Sequence, residues 1–232
     1  GVFRRQRQMC IRDSSRSASQ RWAGIASLGY VEIIHSDEEG IVSPTQYYDS
    51  VSCDTKIATI IHTSPITGMT LNLSEISKAI RKKSPSCFII VDGIQHAPHG
   101  NIDIDSYNID GYVISPYKVF SRHGYGVAWI SDRFAKIPHN SLNGAPENSW
   151  ELGTRDPGSY ATFSEVVQYF SWLGEKVSNQ VGIREKINAA GKAIGKYERY
   201  LTDLLLFGTE NLKGLSEYPQ IYILGGTKNP AR

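Results

Sequence analysis

The sequence predicts an α/β protein built on a mostly parallel sheet, and three observations carry that expectation. Strand-like and helix-like segments alternate from Tyr30 to Ile114, which is a βαβ series. Two of the strand-like runs, Lys56-Ile-Ala-Thr-Ile-Ile61 and Cys87-Phe-Ile-Ile-Val91, are nearly unbroken apolar stretches, the pattern of strands buried on both faces of a parallel sheet. Polar clusters, Asp92-Gly-Ile-Gln95 and Ser115-Pro-Tyr-Lys118, directly follow apolar runs, and open α/β sheets bind ligands at the carboxyl ends of their strands.

Taken in order, Tyr30-Val-Glu-Ile-Ile34 predicts a short strand turned by Asp37-Glu-Glu-Gly40. Ser43-Pro-Thr caps a short helix to about Val51, and Lys56–Ile61 is the next strand. A helix follows over Ser74–Lys82, capped by Asn72 or Ser74, with Ile76, Ala79 and Ile80 at helical spacing. Cys87–Val91 is a strand, Ile104–Tyr107 a short helix, and Gly111–Ile114 a strand. The glycine-bearing turn Phe120–Gly126 is too short for a parallel crossover, so Val127–Ile130 is expected to run antiparallel to its predecessor. Lys136–Pro157, rich in Asn, Pro and Gly, reads as irregular. Helices are expected at Tyr160–Lys176 and Gly182–Phe207, with a further strand at Ile221–Leu224.

At 232 residues, 40% hydrophobic and 21% charged, the composition is that of an ordinary globular protein and excludes disordered and fibrous classes. No apolar run approaches the ~20 residues of a membrane-spanning helix, so no membrane association is expected. The three cysteines, Cys10, Cys53 and Cys87, have no metal spacing and are too few for a disulfide framework, which points to a reducing, cytoplasmic setting. Net charge is +2, but the first 21 residues contribute +5, leaving −3 for the rest and no basic face for nucleic acid. That Arg- and Ser-rich stretch, residues 1–21, lacks an initiator Met and has the composition of a transit peptide. Its segment Arg5-Gln-Arg-Gln-Met-Cys-Ile-Arg-Asp13 more closely resembles a translated sequencing-adaptor scar, so the stretch is expected to be non-native.

The chemistry concentrates at the two polar clusters. A carboxylate, an amide and an amine delivered to one crevice edge are the groups a pyridine cofactor needs. Asp92 is the candidate to face a ring nitrogen and keep its proton in place, since a buried carboxylate needs a cationic or strongly donating partner. An Asp that caps the following turn is the plainer alternative. Gln95 is the candidate donor to a ring oxygen. Lys118 is the candidate for a Schiff base with a carbonyl and, once displaced, for proton transfer at a substrate α-carbon; a solvated surface lysine is its alternative. Ser115 and Thr154 are hydroxyl donors for a phosphate, or turn residues. His96 and His99 with Asp103 and Asp105 lack a standard metal spacing, so no metal site is expected. The chain has no G-x-S-x-G, P-loop or G-x-G-x-x-G motif, which argues against serine hydrolases, P-loop enzymes and Rossmann dehydrogenases.

In their order along the chain, His62-Thr-Ser-Pro-Ile-Thr-Gly68, Val91-Asp-Gly-Ile-Gln-His96, Asp110-Gly-Tyr-Val-Ile-Ser-Pro-Tyr-Lys118, His123-Gly-Tyr-Gly126 and Glu151-Leu-Gly-Thr154 resemble the class-V aminotransferase family, close to its cysteine desulfurase-like members. The resemblance implies the fold-type-I large domain of pyridoxal phosphate enzymes, a three-layer α/β/α arrangement, here incomplete and followed by the start of a C-terminal small domain. It implies that the cofactor is pyridoxal 5'-phosphate, with Asp92 on the pyridine nitrogen, Gln95 on the ring oxygen, Lys118 as the Schiff-base lysine and Ser115 on the phosphate. Thr154 would reach the phosphate of a neighbouring subunit, which implies a homodimer.

Two positions depart from the pattern. Tyr117 stands where desulfurases carry His and can still donate one hydrogen bond, and Pro65 replaces an Asn near the substrate. The persulfide-forming cysteine of the family has no counterpart here, since Cys53 and Cys87 precede the lysine. The expected organisation is residues 1–21 as the N-terminal stretch, 22–178 as a partial cofactor-binding domain, and 179–232 as a long helix leading into a truncated C-terminal domain. The expected activity is that of a desulfurase, related lyase or aminotransferase acting on an amino acid. A catalytically idle family member serving as a binding or scaffold subunit is the alternative.

Overall fold

The computed structural model describes residues 2–7, 31–153 and 156–227. Its centre is a sheet of β1 (Val2–Arg7), β2 (Val31–His35), β3 (Thr55–Ile61), β4 (Phe88–Asp92), β5 (Gly111–Ile114) and β6 (Val127–Ile130) in the order β2-β1-β3-β4-β5-β6. β1 to β5 pair in parallel and β6 closes the edge antiparallel to β5, as the short connection between them predicts. Val2–Arg7, inside the stretch that composition sets apart, pairs with β2 and β3. The expected boundary at residue 21 lies outside the described residues.

The helices form where their caps place them. α1 (Pro44–Ser50) begins in a reciprocal capping box: the Gln46 amide N–H donates to Ser43 Oγ, and the Ser43 N–H donates to Gln46 Oε1 at 2.8 Å. α2 (Leu73–Lys83) is capped by Asn72, whose Oδ1 accepts the Glu75 N–H at 3.2 Å, and it ends on Arg81, Lys82 and Lys83, cations suited to a helix C-terminus. α3 (Ile104–Tyr107) and the short α4 (Asp132–Ala135) follow; α4, capped by Ser131, is a turn that the sequence pattern did not announce. α5 (Pro157–Val177) starts at a proline behind the Asp156 cap, and α6 (Ile183–Phe207) packs along it.

Burial in β3 alternates, with Ala58 and Ile60 fully buried and Ile57, Thr59 and Ile61 only half-buried. Both faces of this strand are thus covered, one fully and the other in part. Its deep face meets Tyr47 of α1 and Ile76 and Ile80 of α2 in the main core, which also takes Ile89, Val91 and Tyr112. α5 packs at the carboxyl edge instead, with Phe163, Val166 and Phe170 against Ala97, Ile102, Ile114 and Val119.

Asp110, at the start of β5, ties the scaffold together. Its carboxylate accepts from Arg81 of α2, from Arg133 of α4, from Ser131 and from the Ile89 amide. Burial alone would raise this carboxyl, but the Arg133, Ile89 and Arg81 hydrogen bonds outweigh it and hold it below the usual range. The expected strand at Ile221–Leu224 is absent: the segment is held as a strap, Tyr222 Oη donating to Glu39 Oε1 at 2.5 Å and the Gly225 amide to Glu39 Oε2 at 2.8 Å. A pair of two-residue strands, β7 (Gly208–Thr209) and β8 (Leu212–Lys213), follows α6 instead.

Candidate active site

Parallel register brings the two polar clusters to one edge. Asp92, the last residue of β4, pairs with Val113 of β5, so the chains leaving both strands start side by side. The Asp92 carbonyl accepts the His62 amide at 2.9 Å, which fixes the loop after β3 to the same edge. Asp92 Oδ1 accepts the Ile94 amide at 3.0 Å, an Asx-type turn, and its side chain faces solvent. A Cβ at position 93 would stand 2.1 Å from the Tyr112 ring, which passes directly beneath the turn, so any residue but glycine forces the ring or the turn to shift.

The second cluster forms a 3-10 turn over Pro116–Val119, with the Lys118 amide donating to the Ser115 carbonyl at 2.9 Å. Lys118 Nζ lies 5.4 Å from the ring centroid of Tyr117, and that ring stacks on His123 with centroids 4.3 Å apart. Lys118 and Gln95 line one cavity of about 360 Å³ together with His99 and Glu198. A neighbouring cavity of about 590 Å³ shares Gln95, His99 and Glu198 and extends to Thr63, Pro65 and Arg199. Both volumes fall in the range of about 300–1,000 Å³ usual for small-molecule sites.

Of the residues expected to form the site, Gln95 and Lys118 thus meet in one cavity. Asp92 and Ser115 stand on the same sheet edge, on adjacent loops, but do not line these two cavities. The Ser115 hydroxyl makes no capping bond to its turn. Tyr117 is turned toward His123, and Thr154 lies outside the described residues.

Beneath the site runs a buried polar network that sequence reading did not assemble. The His62 and His96 rings stack, and His62 Nδ1 bonds Tyr112 Oη at 2.8 Å. His96 Nε2–H donates to the Asn101 carbonyl at 3.2 Å, which leaves Nδ1 to accept from Thr63 Oγ1 at 2.9 Å. Thr63 Oγ1 in turn bonds Thr70 Oγ1 at 2.9 Å. Burial, reinforced by the neighbouring His96, pushes His62 down to about 2, and burial likewise lowers His96. Both rings are neutral structural groups supporting the turn that carries Asp92 and Gln95.

The second missed group is Glu198 on α6. Its Oε1 accepts from His99 Nδ1 at 2.7 Å, while His99 Nε2 faces Gln95 Nε2 at 3.3 Å. The spacing of Gln95 and His99 is a visible i, i+4 signal; the partner 99 positions further on has no local one. Among the described residues no group of His, Cys, Asp and Glu is arranged to hold a metal, and no helix is long and apolar enough to cross a membrane.

The family model for aminotransferase class V matches residues 4–201. A Plasmodium berghei relative bearing the name of a cysteine desulfurase, PbSufS, is 27% identical over 198 residues, covering 77% of this chain and 35% of the relative. The aminotransferase-like protein FGM3 of Gibberella zeae is 30% identical over 190 residues, covering 80% of this chain and 42% of its own. The chain thus spans well under half the length of these relatives. In three dimensions the chain resembles the apo cysteine desulfurase of Thermococcus onnurineus, with a TM-score of 0.63 at 18% identity over 88% of this chain and 51% of that one. This likeness shows the shared fold.

Proposed function

The chain belongs to the class-V aminotransferase family, and from that premise we propose that it holds pyridoxal 5'-phosphate for chemistry on an amino acid, in the manner of a desulfurase, related lyase or aminotransferase. The observation that carries the reading is the cavity of about 360 Å³ that Gln95 and Lys118 line together beside the strand ending in Asp92. The donor set suits the cofactor: an amine for its aldehyde, an amide for its ring oxygen, and a carboxylate and a hydroxyl on the adjoining loops. The cofactor, when bound, supplies an electron sink for the α-carbon of the substrate.

The residues of the chain have separate tasks. Lys118 Nζ would be the amine that holds the cofactor's aldehyde and the group that would move the proton at the substrate α-carbon. Asp92 keeps the ring nitrogen protonated. Gln95 would donate to the ring oxygen, and the Ser115 hydroxyl and Tyr117 Oη would be the donors to the phosphate. Thr154 serves the phosphate of a second subunit, so the active form is a homodimer. Cysteine is the first substrate to test, in view of the names of the relatives, with Pro65 lining the larger cavity where the desulfurase pattern has Asn. Free thiols at Cys53 and Cys87 accord with a reducing, cytoplasmic setting.

Because the chain spans only part of its relatives, binding is the primary readout. The protein is titrated with pyridoxal phosphate, reduced with borohydride and mapped by mass spectrometry. The expected result is a visible absorbance band and a single reduced adduct on Lys118, both lost in Lys118→Ala. An adduct spread over surface lysines, or the same band in the variant, would overturn the assignment.

A further inference from the structure

We propose that Glu198 is a positioning residue that acts through His99 to set the side-chain amide of Gln95 in the cavity it shares with Lys118. The inference rests on the cofactor reading above for its purpose, but its geometry stands alone. A carboxylate only accepts, so the 2.7 Å contact places a proton on His99 Nδ1. An amide nitrogen only donates, so the 3.3 Å contact makes the unprotonated His99 Nε2 its acceptor. The two bonds require one another, because Glu198 selects the His99 tautomer that can receive Gln95. One amide hydrogen of Gln95 is then engaged, its oxygen is turned away from the imidazole, and the second hydrogen remains for a ligand oxygen.

The backbone supports the reach. Gly191 lets α6 lie against the Gly100–Asn101 segment, where an added Cβ would stand 3.0 Å from the Gly100 carbonyl, and Gly195 passes the His99 carbonyl one turn later. Glu198 follows on the same face. Through it α6 reaches His99, and through His99 the amide of Gln95. His99 and Glu198 are each about two-fifths exposed, so the pair is a device for orientation rather than for stability.

The test uses the ¹⁵N-labelled chain with and without pyridoxal phosphate. Without cofactor, the neutral His99 ring is expected to carry its proton at Nδ1 rather than Nε2. Glu198→Ala should move it toward the Nε2-protonated form and shift the Gln95 side-chain amide signals, and Glu198→Gln, whose carbonyl still accepts, should restore both. With cofactor, Glu198→Ala and His99→Ala should each weaken binding by about threefold to tenfold, with the double variant no weaker than either single one. They should also displace the visible band of the bound cofactor, which loss of a merely structural contact would leave in place. An unchanged His99 tautomer in Glu198→Ala, or additive losses in the double variant, would overturn the relay. Absence of any cofactor binding in the wild-type chain would instead sink the functional reading, with the tautomer and amide signals still deciding whether Glu198 controls Gln95.

Discussion

The imidazole rings of His62 and His96 lie face to face with centroids 3.6 Å apart, and both side chains are almost wholly withdrawn from solvent. Two stacked imidazoles cannot both carry charge there. His62 is pushed to about 2 and His96 lies below its ordinary 6.5, first by burial in each case. His99 nearby lowers His96 further, while Glu198 and the Asn101 carbonyl act in the opposite direction.

Stability should therefore depend on pH in a defined window. A histidine neutral when folded and protonated when unfolded stabilises the fold fully above 6.5, and that contribution is lost as pH falls below 6.5 toward the folded value. The unfolded chain binds the extra proton, so each unit of acidification costs about 1.4 kcal/mol for His62. Asp110 acts only lower, since its contribution is lost below its ordinary 3.8. Urea unfolding between pH 7 and pH 5 should show the decline, and His62→Phe should reduce its slope. A flat profile across that interval would contradict the buried neutral pair.

Gly93 is the next place to press. Its added methyl would enter the Tyr112 ring, which is buried and bonded to His62. Gly93→Ala should cost about 1–3 kcal/mol through overpacking, read by denaturant unfolding, and should disturb the turn bearing Asp92 and Gln95. An unchanged midpoint would mean that Tyr112 can withdraw without cost.

Much of this architecture is legible in the sequence because its signals are local. Apolar runs end at Val91 and Ile114, Ser43 and Asn72 are caps, and the short turn after Lys118 dictates an antiparallel β6. The expected strand at Ile221–Leu224 failed for a non-local reason: its residues meet the Asp37–Gly40 turn through Glu39 rather than a sheet edge. The pairs His62–His96 and His99–Glu198 were illegible for the same reason, being joined only by the packing of distant loops and helices. Each histidine taken singly is consistent with a loop residue, and only the fold gives it a partner.

Asp110 tests the scaffold that holds β5 and its lysine-bearing turn. The carboxylate is 2% exposed and receives both Arg81 and Arg133. Removing it strands two guanidinium groups, and breaking a buried pair from one side costs about 3–5 kcal/mol. Arg81→Ala should be the more damaging of the two partner substitutions, because Arg81 is 16% exposed against 41% for Arg133 and screening discounts the latter. The expected order of thermal destabilisation is Asp110→Ala, then Arg81→Ala, then Arg133→Ala; the reverse order of the two arginines would show that the two bonds Arg133 makes to Asp110, against one from Arg81, outweigh burial.

Tyr117 separates a packing role from a binding one. Its ring stacks on His123, and a phenylalanine would keep that stack while losing the hydroxyl. If Tyr117 Oη donates to the cofactor phosphate, Tyr117→Phe should weaken pyridoxal phosphate binding by about twofold to tenfold, the range of one net hydrogen bond. Tyr117→His, the residue of the desulfurase pattern, should regain a donor and most of that affinity. Fluorescence titration of the three proteins distinguishes the roles: equal affinities would assign Tyr117 to the stack alone, and a loss confined to Tyr117→Phe would assign it to the cofactor.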